Sequence, residues 1–363
     1  MPNGGIQMSK KIVLTGGGTA GHVTPNIALI PHLKECGYEI TYIGSYDGIE
    51  KKLIADFPEI PYKGIATGKF RRYFDLKNFT DPFRVLKGYS EAKKYLKEIA
   101  PDIVFSKGGF VSVPVVRAAA ALKIPCIIHE SDMTPGLANK LCIPVAEKIC
   151  CNFPETLDNL PAEKAALTGS PIREELASGN KIAALDLCGF SSEKPVIMVI
   201  GGSLGAASVN QIVRDALPEL LKEFQVVHIC GKDKVDNLLL TTKGYKQFEY
   251  VKTELKDIFA MADLVISRAG ANAICELLAL KKPNILIPLP ADQSRGDQLL
   301  NAASFKAQGY SIVLDEDELT IKELVENVNT LYENRQSYID TMNQSPQSDA
   351  IPAVMELIKE YTN

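Results

Sequence analysis

Short runs of β-branched and aliphatic residues alternate, along nearly the whole chain, with amphipathic stretches whose apolar positions recur at helical spacing. The apolar runs predict strands at residues 11–15, 39–43, 103–106, 126–129, 196–200, 226–230, 264–267 and 284–287. Strands this short, separated by helical patterns, imply parallel sheets with helical crossovers. The rhythm occurs twice. Residues 11–21 read K-I-V-L-T-G-G-G-T-A-G and lead into a helix to about Cys36, then a strand and Gly44. Residues 196–206 read V-I-M-V-I-G-G-S-L-G-A and lead into a helix to about Phe224, then a strand and Gly231. The expected fold class is therefore α/β, with two doubly wound parallel-sheet domains. Thr168-Gly169-Ser170-Pro171 joins turn formers to a proline that biases its predecessor away from helix, which places the hinge there. The domains are expected at residues 8–169 and 170–349. A last amphipathic stretch, residues 351–361, suits packing on either one.

Composition and charge narrow the function. The chain has 363 residues, enough for two domains, and 46% hydrophobic with 23% charged residues is the balance of an ordinary globular protein. A net charge of -4 lacks the positive excess that wrapping nucleic acid needs. No uncharged apolar run approaches the roughly 18 residues that span a bilayer. Residues 1–7 are polar and do not read as a signal peptide; Met8 is a candidate start, and residues 1–7 are left out of the fold reasoning. Eight scattered cysteines without C-x-x-C point to neither a zinc site nor a disulfide framework, and their number suits a reducing compartment.

Candidate chemistry gathers at the glycine turns. A glycine-rich turn between strand and helix brings backbone N–H groups to a phosphate, with the positive helix end behind them. Gly16-x-Gly18-x-x-Gly21 also fits a dinucleotide fingerprint, but the acid that such a site wants after the second strand is replaced by Gly44, with Asp47 the nearest beyond it. A third turn runs from Arg268 to Asn272, one helical turn before Glu276. Glu276 is open to two readings, a carboxylate for the two hydroxyls of a ribose or an exposed helix acid. His22 stands at a helix start, beside any bound phosphate or reacting hydroxyl. His129-Glu130 closes a strand at the ligand-facing end of a sheet and forms a candidate acid/base pair, whereas His32 and His228 read as structural.

Residues 69–87 carry six basic and two acidic side chains and five aromatics, in a protein whose total charge is negative. Phe70, Arg71, Arg72, Phe74, Lys77, Phe79, Phe83 and Arg84 suit contact with an anionic membrane surface, and equally a loop followed by a helix with a solvated basic face. Asp315-Glu316-Asp317 has the form of a D-x-D metal motif, but its place ahead of a helix favours N-terminal acids.

Six motifs, in order, carry a resemblance: G-G-T-A-G-H ending at His22, G-G-F-V-S from Gly108, H-E-S-D from His129, G-S-P-I-R ending at Arg173, G-G-S-L-G-A from Gly201, and S-R-A-G-A-N-A-I-C-E ending at Glu276. The segment from Asp292 to Asn301 follows as a seventh. Together they resemble the MurG family, bacterial undecaprenyldiphospho-muramoylpentapeptide N-acetylglucosaminyltransferases that make lipid II for peptidoglycan, and so for cell-wall growth, shape and division. The resemblance implies a GT-B fold of two Rossmann-like domains facing a cleft, UDP-GlcNAc held mainly by the second, and residues 350–363 returning to the first. It implies neither metal nor cofactor. Ser203 would contact the donor diphosphate, Arg173 the nucleotide, Glu276 the ribose and the Val251 backbone the uracil. Ala271 and Asn272 would line the helix start beneath the phosphates. Gln298 and Asp297 would read the sugar hydroxyls, and Thr19, Ala20 and Gly21 would complete the donor site.

The reaction so implied is inverting transfer of GlcNAc to the muramoyl 4-hydroxyl of lipid I. It needs a base on the acceptor side, for which His22 comes first, then Glu130 or His129. Helix N-termini and an arginine would stabilise the departing diphosphate where other transferases use a metal. The protein would sit peripherally on the cytoplasmic, anionic face of the cell membrane, with lipid I as partner, docking to division or elongation machinery, and no nucleic acid. Two positions depart from the family's pattern. Asp132 replaces an amide with an acceptor-only carboxylate, which makes it an uncertain ligand, and Phe110 replaces a tyrosine, leaving only an apolar surface. A related transferase acting on another lipid, or a UDP-GlcNAc epimerase, would share much of the donor half.

Overall fold

Parallel strands must be covered on both faces, and the sequence supplies this with near-continuous apolar runs, such as Val196–Ile200 and the first three residues of Ile103–Ser106. The structure, a computed structural model, describes residues 9–68, 81–201, 206–291, 293 and 296–362. The chain divides into two units, residues 1–172 with 349–363, and residues 173–348.

In the first unit the strands are β1 (Lys10–Thr15), β2 (Tyr38–Ser45), β3 (Tyr62–Ile65), β4 (Ile103–Ser106), β5 (Cys126–Glu130), β6 (Lys148–Cys151) and β7 (Ala165–Leu167). They form one parallel sheet in the order β3-β2-β1-β4-β5-β6-β7. The connecting helices are α1 (Thr24–Glu35), α2 (Ile49–Ile54), α3 (Asp81–Ile99), α4 (Ser112–Ala121) and α5 (Leu137–Cys142). Alternation along β1 sends Ile12 and Leu14 to a core shared with Leu29, Ile30 and Leu33 of α1, and Val13 to one shared with Leu96 of α3 and Val115 of α4.

The second unit has β8 (Val196–Ile200), β9 (Gln225–Ile229), β10 (Tyr245–Phe248), β11 (Leu264–Ser267), β12 (Asn284–Leu286) and β13 (Ser311–Val313), parallel in the order β10-β9-β8-β11-β12-β13. Its helices are α6 (Lys181–Cys188), α7 (Ala207–Glu223), α8 (Leu255–Met261), α9 (Ala271–Ala279), α10 (Asp297–Ala307), α11 (Ile321–Glu333) and α12 (Arg335–Asn343). In each sheet the strand order reverses beside the first strand, β1 against β4 and β8 against β11. That is the switch point at which α/β sheets place ligands, beyond the strands' carboxyl ends.

The eight predicted strands all form, three with the predicted ends and five with ends shifted by a residue or two. β5 extends to include Glu130, and β9 stops at Ile229, one residue before Cys230. Five strands escaped the pattern, β3, β6, β7, β10 and β13. All but β6 are sheet edges of three or four residues, where partial burial leaves little apolar signal to read.

The last helix, α13 (Ala350–Glu360), packs in the first unit: Ile351, Val354, Met355 and Ile358 join the core around Leu29 and Leu33. Tyr38 of β2 and Thr362 share a hydrogen bond beyond its end. Ile358→Ala, in a side chain with no exposure, is expected to lower the unfolding free energy by about 2–5 kcal/mol. Urea denaturation followed by circular dichroism checks this, and a loss below about 0.5 kcal/mol would contradict this packing.

Candidate active site

The first glycine turn is already filled. Gly18 N–H donates to Glu50 Oε2 at 3.2 Å and Ser45 N–H to Glu50 Oε1 at 2.9 Å, while the Ser45 hydroxyl also donates to that oxygen. A Cβ on Gly17 would lie 2.5 Å from the Glu50 carboxyl carbon, so only glycine lets the backbone come this close. Glu50, at the start of α2, has no solvent exposure. The anion in the turn is thus the protein's own carboxylate, and its position and charge exclude the dinucleotide phosphate that the G-x-G-x-x-G spacing invites.

His22 ends a short 3-10 turn, Ala20–His22, ahead of α1, and is half-buried. Its Nδ1 lies 3.2 Å from the Gly17 carbonyl and 3.2 Å from Thr19 Oγ1. A carbonyl only accepts, so Nδ1 carries the proton and Nε2 the free lone pair. Burial, and secondarily the positive charge of Lys107, bring its pKa down to about 4; the Gly17 carbonyl and Glu50 pull the other way. The imidazole is therefore neutral at physiological pH and able to accept a proton. Gly109, with φ 81°, abuts the ring, since a Cβ there would sit 3.0 Å from His22 Nδ1.

His129 and Glu130 occupy structural positions instead. His129 has no exposure, and both ring nitrogens are engaged: Nδ1 with Lys107 Nζ at 2.9 Å and Nε2 with the Gly169 carbonyl at 2.8 Å. Burial first and Lys107 second hold it well below the usual imidazole range. The Glu130 carboxylate accepts from Asp132 N–H at 2.9 Å, Gly136 N–H at 3.0 Å and Asn139 Nδ2 at 2.8 Å. It organises the loop from β5 to α5, and neither residue offers an open site for a reacting proton. Asp132 enters this arrangement through its backbone. The Phe110 ring packs on Gly18.

Sequence reasoning missed Glu50 and Lys107. Lys107 directly follows the fully buried β4 and has no exposure itself; its Nζ also donates to Ser131 Oγ. The available signal was a lysine placed between an apolar central strand and Gly108-Gly109.

In the second unit, α9 begins after Gly270 with no side-chain cap, so the first-turn N–H groups around Ala271 and Asn272 present the positive end of the helix. Two buried polar atoms nearby lack protein partners, Asn272 Oδ1 and Arg173 Nε. Arg173 bonds Glu175 at 3.1 Å through another nitrogen. Glu276, in the second turn, is not the exposed acid it would be on an isolated helix. Burial pushes its pKa up to about 7, with Arg173 opposing. Gln298 on α10 accepts through Oε1 from Ala269 N–H at 3.3 Å and Leu289 N–H at 3.1 Å, tying two loops together and leaving its amide nitrogen as a donor. Asp297 opens α10 and is half-buried, as is Val251 after β10.

The Asp315-Glu316-Asp317 reading is corrected in one respect. Glu316 is not an N-terminal helix acid but the counter-ion of buried Arg268, which also donates to the Ile287 and Pro288 carbonyls, and Thr320 caps α11. Ser203, like Phe70, Arg71, Arg72, Phe74, Lys77 and Phe79, lies outside the described residues. Thr19 and Ala20 are exposed beside His22, with Gly21 half-buried.

A helix N-terminus, an arginine and a half-buried carboxyl group one turn on suit a nucleoside diphosphate, and an unprotonated imidazole suits a hydroxyl nucleophile. Comparison with known proteins agrees with such chemistry. Residues 12–151 match the glycosyltransferase family 28 N-terminal domain and residues 196–358 the family 28 C-terminal domain. A curated protein of Lachnoclostridium phytofermentans is 65% identical over 97% of this chain and 99% of its own length. One from Clostridium botulinum is 59% identical over 97% and 99%. Both are named UDP-N-acetylglucosamine–N-acetylmuramyl-(pentapeptide) pyrophosphoryl-undecaprenol N-acetylglucosamine transferase. Among solved structures, Acinetobacter baumannii MurG aligns with TM-score 0.76 at 26% identity, covering 97% of this chain and 99% of that one. The chain belongs to glycosyltransferase family 28, and within it to the N-acetylglucosaminyltransferases that these curated relatives represent.

The half-buried Glu276 carries a testable cost. Between its ordinary value of 4.5 and about 7 the folded protein holds a proton that the unfolded chain has lost. The resulting stabilisation is complete below 4.5 and is lost as pH rises through 7, above which the fold carries a desolvated carboxylate. Glu276→Gln is expected to raise the unfolding free energy above pH 7 by up to about 3 kcal/mol, the gain shrinking toward pH 5, while weakening UDP binding by about tenfold or more. Urea denaturation across pH and calorimetric titration with UDP read the two effects; a stabilisation independent of pH would refute the assignment.

Proposed function

We propose that the protein transfers GlcNAc from UDP-GlcNAc to the muramoyl 4-hydroxyl of lipid I, forming lipid II, with inversion and without a metal. The observation that carries this reading is end-to-end identity of 65% to a transferase whose name states both donor and acceptor. The site geometry supplies the chemistry. His22 Nε2 takes the proton of the attacking hydroxyl, while its Nδ1–H stays anchored on the Gly17 carbonyl. The departing UDP gathers negative charge, which the open N-terminus of α9 and Arg173 stabilise. Glu276 accepts from the ribose hydroxyls, the Val251 backbone meets the uracil, and the free amide nitrogen of Gln298, with Asp297, meets the sugar. The first unit serves the acceptor and the second the donor.

A lipid acceptor calls for a membrane-facing surface. The start of α3 displays Phe83 at 73% and Leu86 at 64% exposure, with Arg84 and Lys87 exposed between and beyond them. Spacing of three residues puts each pair on neighbouring turns, apolar beside basic, as peripheral binding to anionic lipid requires. No described helix is long and apolar enough to cross a membrane. We place the protein on the cytoplasmic side, within reach of the division or elongation machinery.

His22→Ala is expected to cut turnover by a factor on the order of 10²–10⁴ while leaving UDP-GlcNAc affinity within about threefold. Radiolabelled transfer to a lipid I analogue, alongside calorimetry with UDP-GlcNAc, separates the two, and unchanged turnover would remove His22 as the base. Phe83→Ser with Leu86→Ser should reduce co-sedimentation with phosphatidylglycerol vesicles and spare transfer to a water-soluble acceptor analogue. Undiminished sedimentation would return the helix to an ordinary solvated face.

A further inference from the structure

The deeply buried lysine beside the base has no part in the reaction as described so far. Lys107 lies where the central strand β4 ends, with its backbone N–H on the Thr15 carbonyl at 2.9 Å and its Cβ against Gly16, so it is fastened to the same turn that carries His22. Two residues on, Gly109 abuts the His22 ring. The ammonium is fixed at its far end as well. The Gly169 carbonyl accepts from His129 Nε2–H, which leaves His129 Nδ1 as an acceptor for Lys107 Nζ, and Ser131 Oγ accepts beside it. A flexible four-carbon chain is thereby held at both ends, in surroundings that screen its charge far less than water does.

We propose that Lys107 is a positioning residue for the base: its buried ammonium, locked by His129 and Ser131, keeps the His22 imidazole in the proton-accepting form and so places the acid limb of the transfer reaction. The inference rests on the reading of His22 as base. Among the described residues, the charged and titratable groups around His22 are Lys107 after β4, His129 on β5 and Glu50 on α2, with the neutral Thr19 hydroxyl and Gly17 carbonyl on its own turn. Glu50 favours the imidazolium and Lys107 opposes it. Burial contributes most to keeping the imidazole neutral, and of the two charges Lys107 outweighs Glu50. His129 is held well below the usual imidazole range by burial first and by the same ammonium second.

The test compares the full-length protein with Lys107→Gln, which keeps a donor for His129 and Ser131 but removes the charge, with Lys107→Met, which matches the length, and with Lys107→Arg, which restores the charge. With four histidines in the chain, ring-labelled histidine NMR isolates His22 by its absence from His22→Ala. In the neutral variants the His22 titration is expected to move up by about one pH unit or more, and the acid limb of kcat/KM to move with it, while Lys107→Arg stays close to the parent. An unmoved His22 titration in a folded neutral variant, or an equal movement in Lys107→Arg, overturns the inference. Failure of both neutral variants to fold also overturns it, by assigning Lys107 to packing alone. A His22 titration that moves while the acid limb stays put sustains the electrostatic inference and instead refutes His22 as the base.

Discussion

Everything in this molecule follows from the need of a parallel sheet to be covered on both faces. Helices return over each face, the strands become continuously apolar, and polar chemistry is expelled to the strands' carboxyl ends. In the first unit those ends carry Gly16 to His22 after β1, Glu50 beyond β2, Lys107 after β4 and His129-Glu130 on β5. In the second they carry the turn into α9 and the loop into α10. Residues far apart in sequence thereby meet within a few ångströms, on loops held by a core that tolerates little movement.

The two units use the same supersecondary unit for different ends. A glycine turn before a helix binds an anion, but which anion depends on what the rest of the chain delivers there. In the first unit Glu50 satisfies the turn from within, which turns a potential phosphate site into a rigid support for His22. In the second unit the start of α9 keeps its N–H groups open, with Arg173 and Asn272 holding buried polar atoms that no protein group satisfies. Unsatisfied buried polar atoms cost stability unless a ligand completes them, which marks the start of α9 as a place for a ligand, whereas the first glycine turn is complete in itself.

Charge burial sets the working state of both halves. His22 loses its proton readily because burial and Lys107 disfavour the imidazolium, and Glu276 keeps its proton longer because burial disfavours the carboxylate. Each departs from its ordinary value in the direction of the neutral form. Each of the two positions is therefore less charged than composition suggests.

The sequence by itself determined the architecture. Two repeats of strand, glycine turn and helix specified two parallel sheets, because apolar periodicity is a local signal that tertiary context rarely reverses, and the ordered motifs around His22, Arg173 and Glu276 were enough to mark the family. Short edge strands such as β3 and β13 stayed hidden, since half-buried positions leave no clear alternation. Only the tertiary structure decided which polar residues are free to react. His129 and Glu130 look like an acid/base pair on a strand end, yet both ring nitrogens of His129 are engaged, by Lys107 and the Gly169 carbonyl, and Glu130 holds the loop through Asp132, Gly136 and Asn139. Glu50, which no local pattern singled out, fills the first glycine turn, Glu316 read as a helix N-terminal acid and pairs with Arg268, and α13 packs in the first unit although the second precedes it in sequence. Burial and partner choice are set by contacts between distant segments, and no local pattern of residues encodes them.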